Sequence, residues 1–156
     1  MNKIRRQALK SGAGVTVMGL AAAAGLLPAS NAWAQAWNKA AFDGKNLSDV
    51  VKALGGAAPA QSADISINAP DIAENGAVVP VGVTSKLAKT ESIAILVEKN
   101  PNALAASFDI PGGTDASVTT RVKMGQSSNV FALVKADGKY YVATKEVKVT
   151  LGGCGG

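Results

Sequence analysis

Apolar positions follow one spacing early in the chain and another through most of the rest. In Asn46-Leu47-Ser48-Asp49-Val50-Val51-Lys52-Ala53-Leu54-Gly55 they fall at Leu47, Val50, Val51 and Leu54, the spacing of one helical face. Asn46 can cap this short helix and Gly55 can end it, while Asp49 puts a negative charge near the positive end of its dipole. From Ala63 onward the texture turns to short runs of Val, Ile, Ala and Thr broken by turn residues roughly every ten positions, a pattern that predicts a β-sandwich. The runs place strands near Ile65 to Asn68, Ala77 to Thr84, Ser92 to Glu98, Ala103 to Phe108, Ser117 to Met124, Asn129 to Lys135 and Lys139 to Leu151. Asn100-Pro101, Pro111-Gly112-Gly113 and Asp137-Gly138 punctuate them, and Asp-Gly between two alternating runs favours the tight primed turn of a hairpin. Pro80 cannot donate a ladder hydrogen bond, so it marks an edge or a bulge. In the last strand Tyr141, Ala143, Val147, Val149 and Leu151 share a face opposite Glu146, Lys148 and Thr150. Lys145 interrupts the apolar face, so a bulge or an exposed stretch is expected there.

The first 34 residues do not belong to this pattern. A basic stretch from Met1 to Lys10 precedes an apolar run from Gly12 to Leu27, which reads as a signal peptide. That run holds 16 residues and stops at Pro28, short of the roughly 20 needed to span a membrane. Arg5 and Arg6, followed by Leu9 and Lys10, resemble the twin-arginine export signal, although Ala8 stands where Phe is commoner. Cleavage is expected after Ala34, in Ala32-Trp33-Ala34. The chain then divides into a signal (1–34), one sandwich domain (35–151) and a terminal arm (152–156), with no membrane contact after cleavage.

This division changes the meaning of the charge. The whole chain carries +5, but Lys3, Arg5, Arg6 and Lys10 lie in the leader, leaving 12 basic against 11 acidic residues. Arg121 is the only arginine left and the lysines are scattered among carboxylates, so nucleic acid is not an expected partner. Histidine is absent and cysteine occurs once, which excludes Ser-His-Asp and Cys-His catalysis, zinc clusters and an internal disulfide. No Gly-rich loop joins a strand to a helix in the manner of a nucleotide site, so no cofactor and no metal are expected. The twin-arginine route carries folded proteins, usually because they hold a cofactor. Without one, that route points to a partner that assembles before export.

The remaining chemistry lies in Gly152-Gly153-Cys154-Gly155-Gly156. Glycine frees the backbone and covers nothing, so the thiol of Cys154 is expected to be solvent-exposed on a flexible arm. Three residues from Leu151 to Cys154 reach roughly 10 Å, about the depth of an enzyme pocket. A thiol attacks sulfur compounds as thiolate, and a free cysteine titrates near about 8.5. No histidine exists to activate it and the nearest cation, Lys148, lies six residues back, so activation falls to a partner enzyme's pocket. On this reading the chain presents sulfur and is not itself an enzyme.

Val147-Lys148-Val149-Thr150-Leu151-Gly152-Gly153-Cys154-Gly155-Gly156 resembles the C-terminal signature of the SoxY family, the sulfur-carrier subunits of the bacterial thiosulfate-oxidising Sox system. Ile72-Ala73-Glu74-Asn75-Gly76-Ala77-Val78-Val79-Pro80-Val81 also resembles that family, and the leader agrees with it. The resemblance implies an immunoglobulin-like sandwich paired with SoxZ, which has no signal of its own and travels out with this chain to the periplasm. It further implies that the SoxXA cytochrome joins thiosulfate oxidatively to Cys154, that the SoxB hydrolase releases sulfate, and that the SoxCD sulfur dehydrogenase oxidises the remaining sulfane sulfur. Only Cys154 and its flanking glycines carry over from the family as functional positions.

Two other functions stay open at this level. Gly155-Gly156 also resembles ubiquitin-like sulfur carriers, which work through a C-terminal thiocarboxylate made with ATP; export away from ATP and a strand-rich pattern oppose that reading. An exported structural sandwich linked through a Cys154 disulfide would form a homodimer that reductant resolves.

Overall fold

A computed structural model describes residues 38–150. Two short helices, α1 (Lys39–Phe42) and α2 (Leu47–Ala53), precede nine strands. These are β1 (Ala60–Gln61), β2 (Ile65–Asn68), β3 (Ile72–Ala73), β4 (Val79–Ser85), β5 (Thr90–Val97), β6 (Leu104–Asp109), β7 (Ser117–Val122), β8 (Ser128–Ala136) and β9 (Lys139–Val149). The larger sheet runs β1-β9-β8-β5-β6 with β3 also on β9, and the smaller runs β2-β4-β7. Ile65, Val79, Val81 and Val83 of the smaller sheet share one buried core with Ile93, Ile95, Val97, Val130, Ala132, Val134 and Val147 of the larger. The mainly β, two-sheet arrangement is thus the one that the spacing of short runs predicts.

The larger sheet is buried on its other face as well. Ala94, Leu96 and Leu133 point away from the smaller sheet into a second core with Val50 and Val51 of α2 and Ala41 of α1. This accounts for the unbroken run Ile93-Ala94-Ile95-Leu96-Val97, in which all five residues are buried, where a one-sided strand would alternate. Each fully buried aliphatic side chain contributes about 1.5–3 kcal/mol relative to exposure. α2 begins as its sequence predicts: Asn46 Oδ1 accepts from Asp49 N–H at 2.9 Å, and the Asp49 carboxylate accepts in turn from Asn46 Nδ2 at 2.9 Å. Gly55, at φ +75°, turns the chain out of the helix. Tyr140 Oη donates to Leu54 O at 3.1 Å and its ring lies over Gly56, where a Cβ would meet ring carbons at 2.5 Å.

The predicted turns and irregularities resolve individually. Asp137 and Gly138 have φ +48° and +73° and join Ala136 directly opposite Lys139, the geometry of the primed two-residue hairpin. β4 is the central strand of its sheet, but β2 pairs with it only as far as Gly82. Pro80 therefore stands where β4 has a neighbour on one side alone, a local edge that tolerates the missing donor. The bulge considered at Lys145 does not form: β8 and β9 keep an unbroken register from Ser128↔Val147 to Ala136↔Lys139. The sequence pattern shows neither α1 nor the two-residue strands β1 and β3, because four residues and two residues are too few to express a period.

At the hairpin end, Lys135 Nζ lies 2.7 Å from Glu91 Oε2, and Gly138 N–H donates to Glu91 Oε1 at 2.7 Å. The hydrogen bond from Lys135 and then that from Gly138 hold the Glu91 carboxyl below its ordinary range, and the same partner raises Lys135. The pair's contribution to stability is complete above the ordinary carboxylate pKa. It is lost as pH falls through the lowered pKa of Glu91, and at the alkaline end as pH rises through the raised pKa of Lys135. Thermal melts should therefore show wild type above Glu91→Gln at pH 7, with the gap closing as pH drops below about 4; a gap independent of pH would remove the charge from this account.

Candidate functional site

The residues that the sequence singles out for chemistry and export, Cys154, Gly152, Gly153, Gly155, Gly156, Arg5, Arg6 and Ala34, lie outside the described residues. What the structure describes is the mount from which residues 151–156 depart.

That mount is the last turn of the β9 ladder, held on both edges. On one edge β3 runs parallel to β9 with Ile72↔Lys148 and Ala73↔Val149 in register. Lys148 N–H donates to Asp71 O at 2.9 Å and Thr150 N–H to Ala73 O at 3.1 Å. On the other edge β8 has ended, and a side chain extends the ladder: Val149 N–H donates to Ser127 Oγ at 2.9 Å. The backbone is thus bonded to the last described residue before the glycine-rich segment. Val147 beneath it is fully buried, which pins the strand to the core.

Lys145 explains how β3 is kept in place. Its ammonium donates to Ala69 O at 2.6 Å and pairs with Asp71 Oδ1 at 3.0 Å, bridging β9 to the chain that leads into β3. The position that breaks the apolar alternation is therefore a strap, half-buried and satisfied, and not an exposed irregularity. Beyond β3, Asn75 Oδ1 accepts from Ala77 N–H at 2.9 Å, and the turn brings Gly76 O to Met124 N–H at 2.7 Å. Gly76 is required by close approach, since a Cβ there would lie 2.4 Å from Met124 O and 2.8 Å from Val149 Cγ1. Asn100 fixes the adjoining loop, with Nδ2 donating to Lys123 O at 2.7 Å.

Around this mount the chemistry is sparse. Among the described residues no three His, Cys, Asp or Glu side chains converge as metal ligands would, and none of the helices is long and apolar enough to cross a membrane. Glu91 and Lys135, whose pKa values are shifted, sit at the hairpin turn, the opposite end of β9. The arrangement can fix where residue 151 starts; the acid–base contact beside it, Asp71 with Lys145, serves as the strap between β3 and β9. Sequence reasoning missed Ser127, Lys145 and the β3 pairing as supports. Their visible signals were Asn75-Gly76, a dipeptide that marks a turn, and the break that Lys145 makes in the apolar face of the last strand.

Gly76→Ala should lower stability by about 1–3 kcal/mol in urea denaturation, the usual cost of overpacking. Amide exchange of Lys148 and Thr150 should quicken with it. An unchanged midpoint and unchanged exchange would show that the 71–78 segment does not clamp β9.

The family described as sulfur oxidation protein SoxY matches residues 50–154. Among solved structures, the sulfur carrier protein SoxY from Chlorobium limicola f thiosulfatophilum is 40% identical, with a TM-score of 0.62 over 68% of this chain and 97% of that one. A superoxide reductase (neelaredoxin) E23A from Ignicoccus hospitalis is 22% identical, with a TM-score of 0.49 over 64% of this chain and 87% of that one, a likeness too loose to carry an argument. No curated protein sequence matches. With the family matched from α2 through Cys154 and a member superposing at this identity, the chain belongs to the SoxY family.

Proposed function

We propose that this protein is a periplasmic sulfur carrier, not an enzyme, which holds thiosulfate-oxidation intermediates covalently on Cys154 and presents them to the other proteins of the Sox system. The observation that supports this most is the clamped end of β9: the fold secures the backbone up to Thr150, four residues before the only cysteine. A carrier needs a thiol on a thin segment with a fixed origin, so that a partner's pocket can find it. Membership of a family with a sulfur carrier among its members supports the same role.

The chemistry asks little of the chain itself. The thiol and thiosulfate join in a disulfide bond, releasing one proton and delivering two electrons to the SoxXA cytochrome. Water then attacks the terminal sulfonate in the SoxB hydrolase, releasing sulfate and leaving a persulfide on Cys154. Where SoxCD operates, the outer sulfur is oxidised to a sulfonate with three waters, six electrons leaving to the dehydrogenase, and a second hydrolysis frees the thiol. Gly152, Gly153, Gly155 and Gly156 keep the path beside Cys154 narrow enough for each pocket. Arg5 and Arg6 direct export by the twin-arginine route, cleavage follows Ala34, and SoxZ accompanies the folded chain as its heterodimer partner.

Protein taken from the periplasm of a host growing on thiosulfate should have an intact mass for a chain starting at Gln35, with sulfur additions on Cys154 that vanish on reduction. Cys154→Ser should abolish those additions and leave the melting temperature within a degree or two, as expected for a thiol that takes no part in the core. A modification on the Gly156 carboxyl, a disulfide-linked homodimer, or an unmodified thiol during growth on thiosulfate would each overturn the carrier reading.

A further inference from the structure

The segment that clamps β9 also carries exposed apolar side chains. Among the described residues the exposed large hydrophobic side chains are Ile72, 58% exposed, and Val78, 50% exposed. Both lie in the eight residues from Asp71 to Val78, which supply the Asp71 and Ala73 carbonyls to Lys148 and Thr150 and the Gly76 carbonyl to Met124. The neighbours Ala73 and Val79 are buried, so the segment is anchored by alternate positions and the exposed aliphatics stand on fixed backbone. Two exposed aliphatics on one anchored eight-residue segment, among described residues whose other large apolar groups are at least partly buried, indicate a site that something else covers.

Chain length says what covers it. Four residue steps lead from Thr150 to Cys154, so the thiol-bearing Cα lies within roughly 14 Å of Thr150 in any conformation. A specific protein interface covers about 800 Å² on each partner, a patch of roughly 16 Å radius. An enzyme that takes Cys154 into its pocket therefore sets the rim of that pocket down on the surface around Thr150, and the 71–78 segment, bonded to Thr150 and Lys148, lies inside the footprint. Burying exposed aliphatics on a rigid support binds at low entropic cost, which suits an encounter that must be specific and brief.

We infer that Ile72 and Val78 form a docking surface for the enzymes that act on the cargo, seated against an apolar rim around the mouth of the active-site pocket. This rests on the carrier function proposed above, with the short reach from Thr150 to Cys154 as its own ground. On this inference the surface is assigned to the transient enzymes and not to the stable heterodimer partner.

The test uses the mature heterodimer loaded on Cys154 with tetrathionate, in which the thiolate displaces thiosulfate and retains a thiosulfonate. Sulfate release by the hydrolase is then followed against carrier concentration. In the Ile72→Asp, Val78→Asp double variant, KM for the loaded carrier should rise about tenfold with kcat within about twofold. The rates of tetrathionate loading and the heterodimer's elution volume should match wild type. Should the aspartates impair folding, Ile72→Ser with Val78→Ser replaces them and is expected to raise KM by severalfold. An unchanged KM overturns the inference while leaving the carrier function intact. Loss of the heterodimer overturns it too, by giving the surface to the stable partner. Wild-type protein that is loaded but never processed removes the carrier function itself, and the docking surface falls with it.

Discussion

The end of this protein that matters most depends on a strand being bonded along both edges up to its final residue. Terminal strands usually fray, because their last amides face water and each loses little by opening. Here Asp71, just before β3, and Ala73 within it supply carbonyls on one edge and Ser127 supplies an oxygen on the other, so Lys148, Val149 and Thr150 all have partners. Val147 in the core makes the clamp cooperative with the sandwich, since freeing the strand would expose apolar surface as well as hydrogen bonds.

The supports form a chain of dependence. β3 is two residues long and could not hold itself against β9 by its own ladder. Lys145 ties its approach to β9 through Ala69 and Asp71, and Gly76 lets the chain turn tightly enough to reach Met124. The double-sided burial of β5 and β8 gives this assembly a stiff base, because the interior is close-packed on both faces of the larger sheet.

How far the fold was legible varied with the length of each feature. The helix from Leu47 and the seven longer strands were visible because each repeats its period at least twice, and the Asp137-Gly138 turn because its dihedral angles demand those residue types. α1, β1 and β3 were not visible, since tertiary contacts and not local pattern create them. Lys145 was the instructive miss: a charge on an apolar face looked like an interruption, whereas it reaches past the edge of the sheet to acceptors some 75 residues earlier in the chain. The candidate thiol rests on counting alone, as the chain has one cysteine and sets it between glycines, and it lies outside the described residues. What counting could not supply was the mount, which is made of backbone carbonyls and a serine with no motif of their own.

The direction of pairing at the end of β9 has a mechanical consequence. Ladder hydrogen bonds lie across the strands, so a pull along the axis of β9 loads the bonds to β8 and β3 together, in shear, instead of opening them one at a time. A tug on Thr150 along that axis meets the ladder in its stiffest direction. A load applied at the end of β9 is therefore shared by the whole ladder, and the sandwich keeps its shape beneath it.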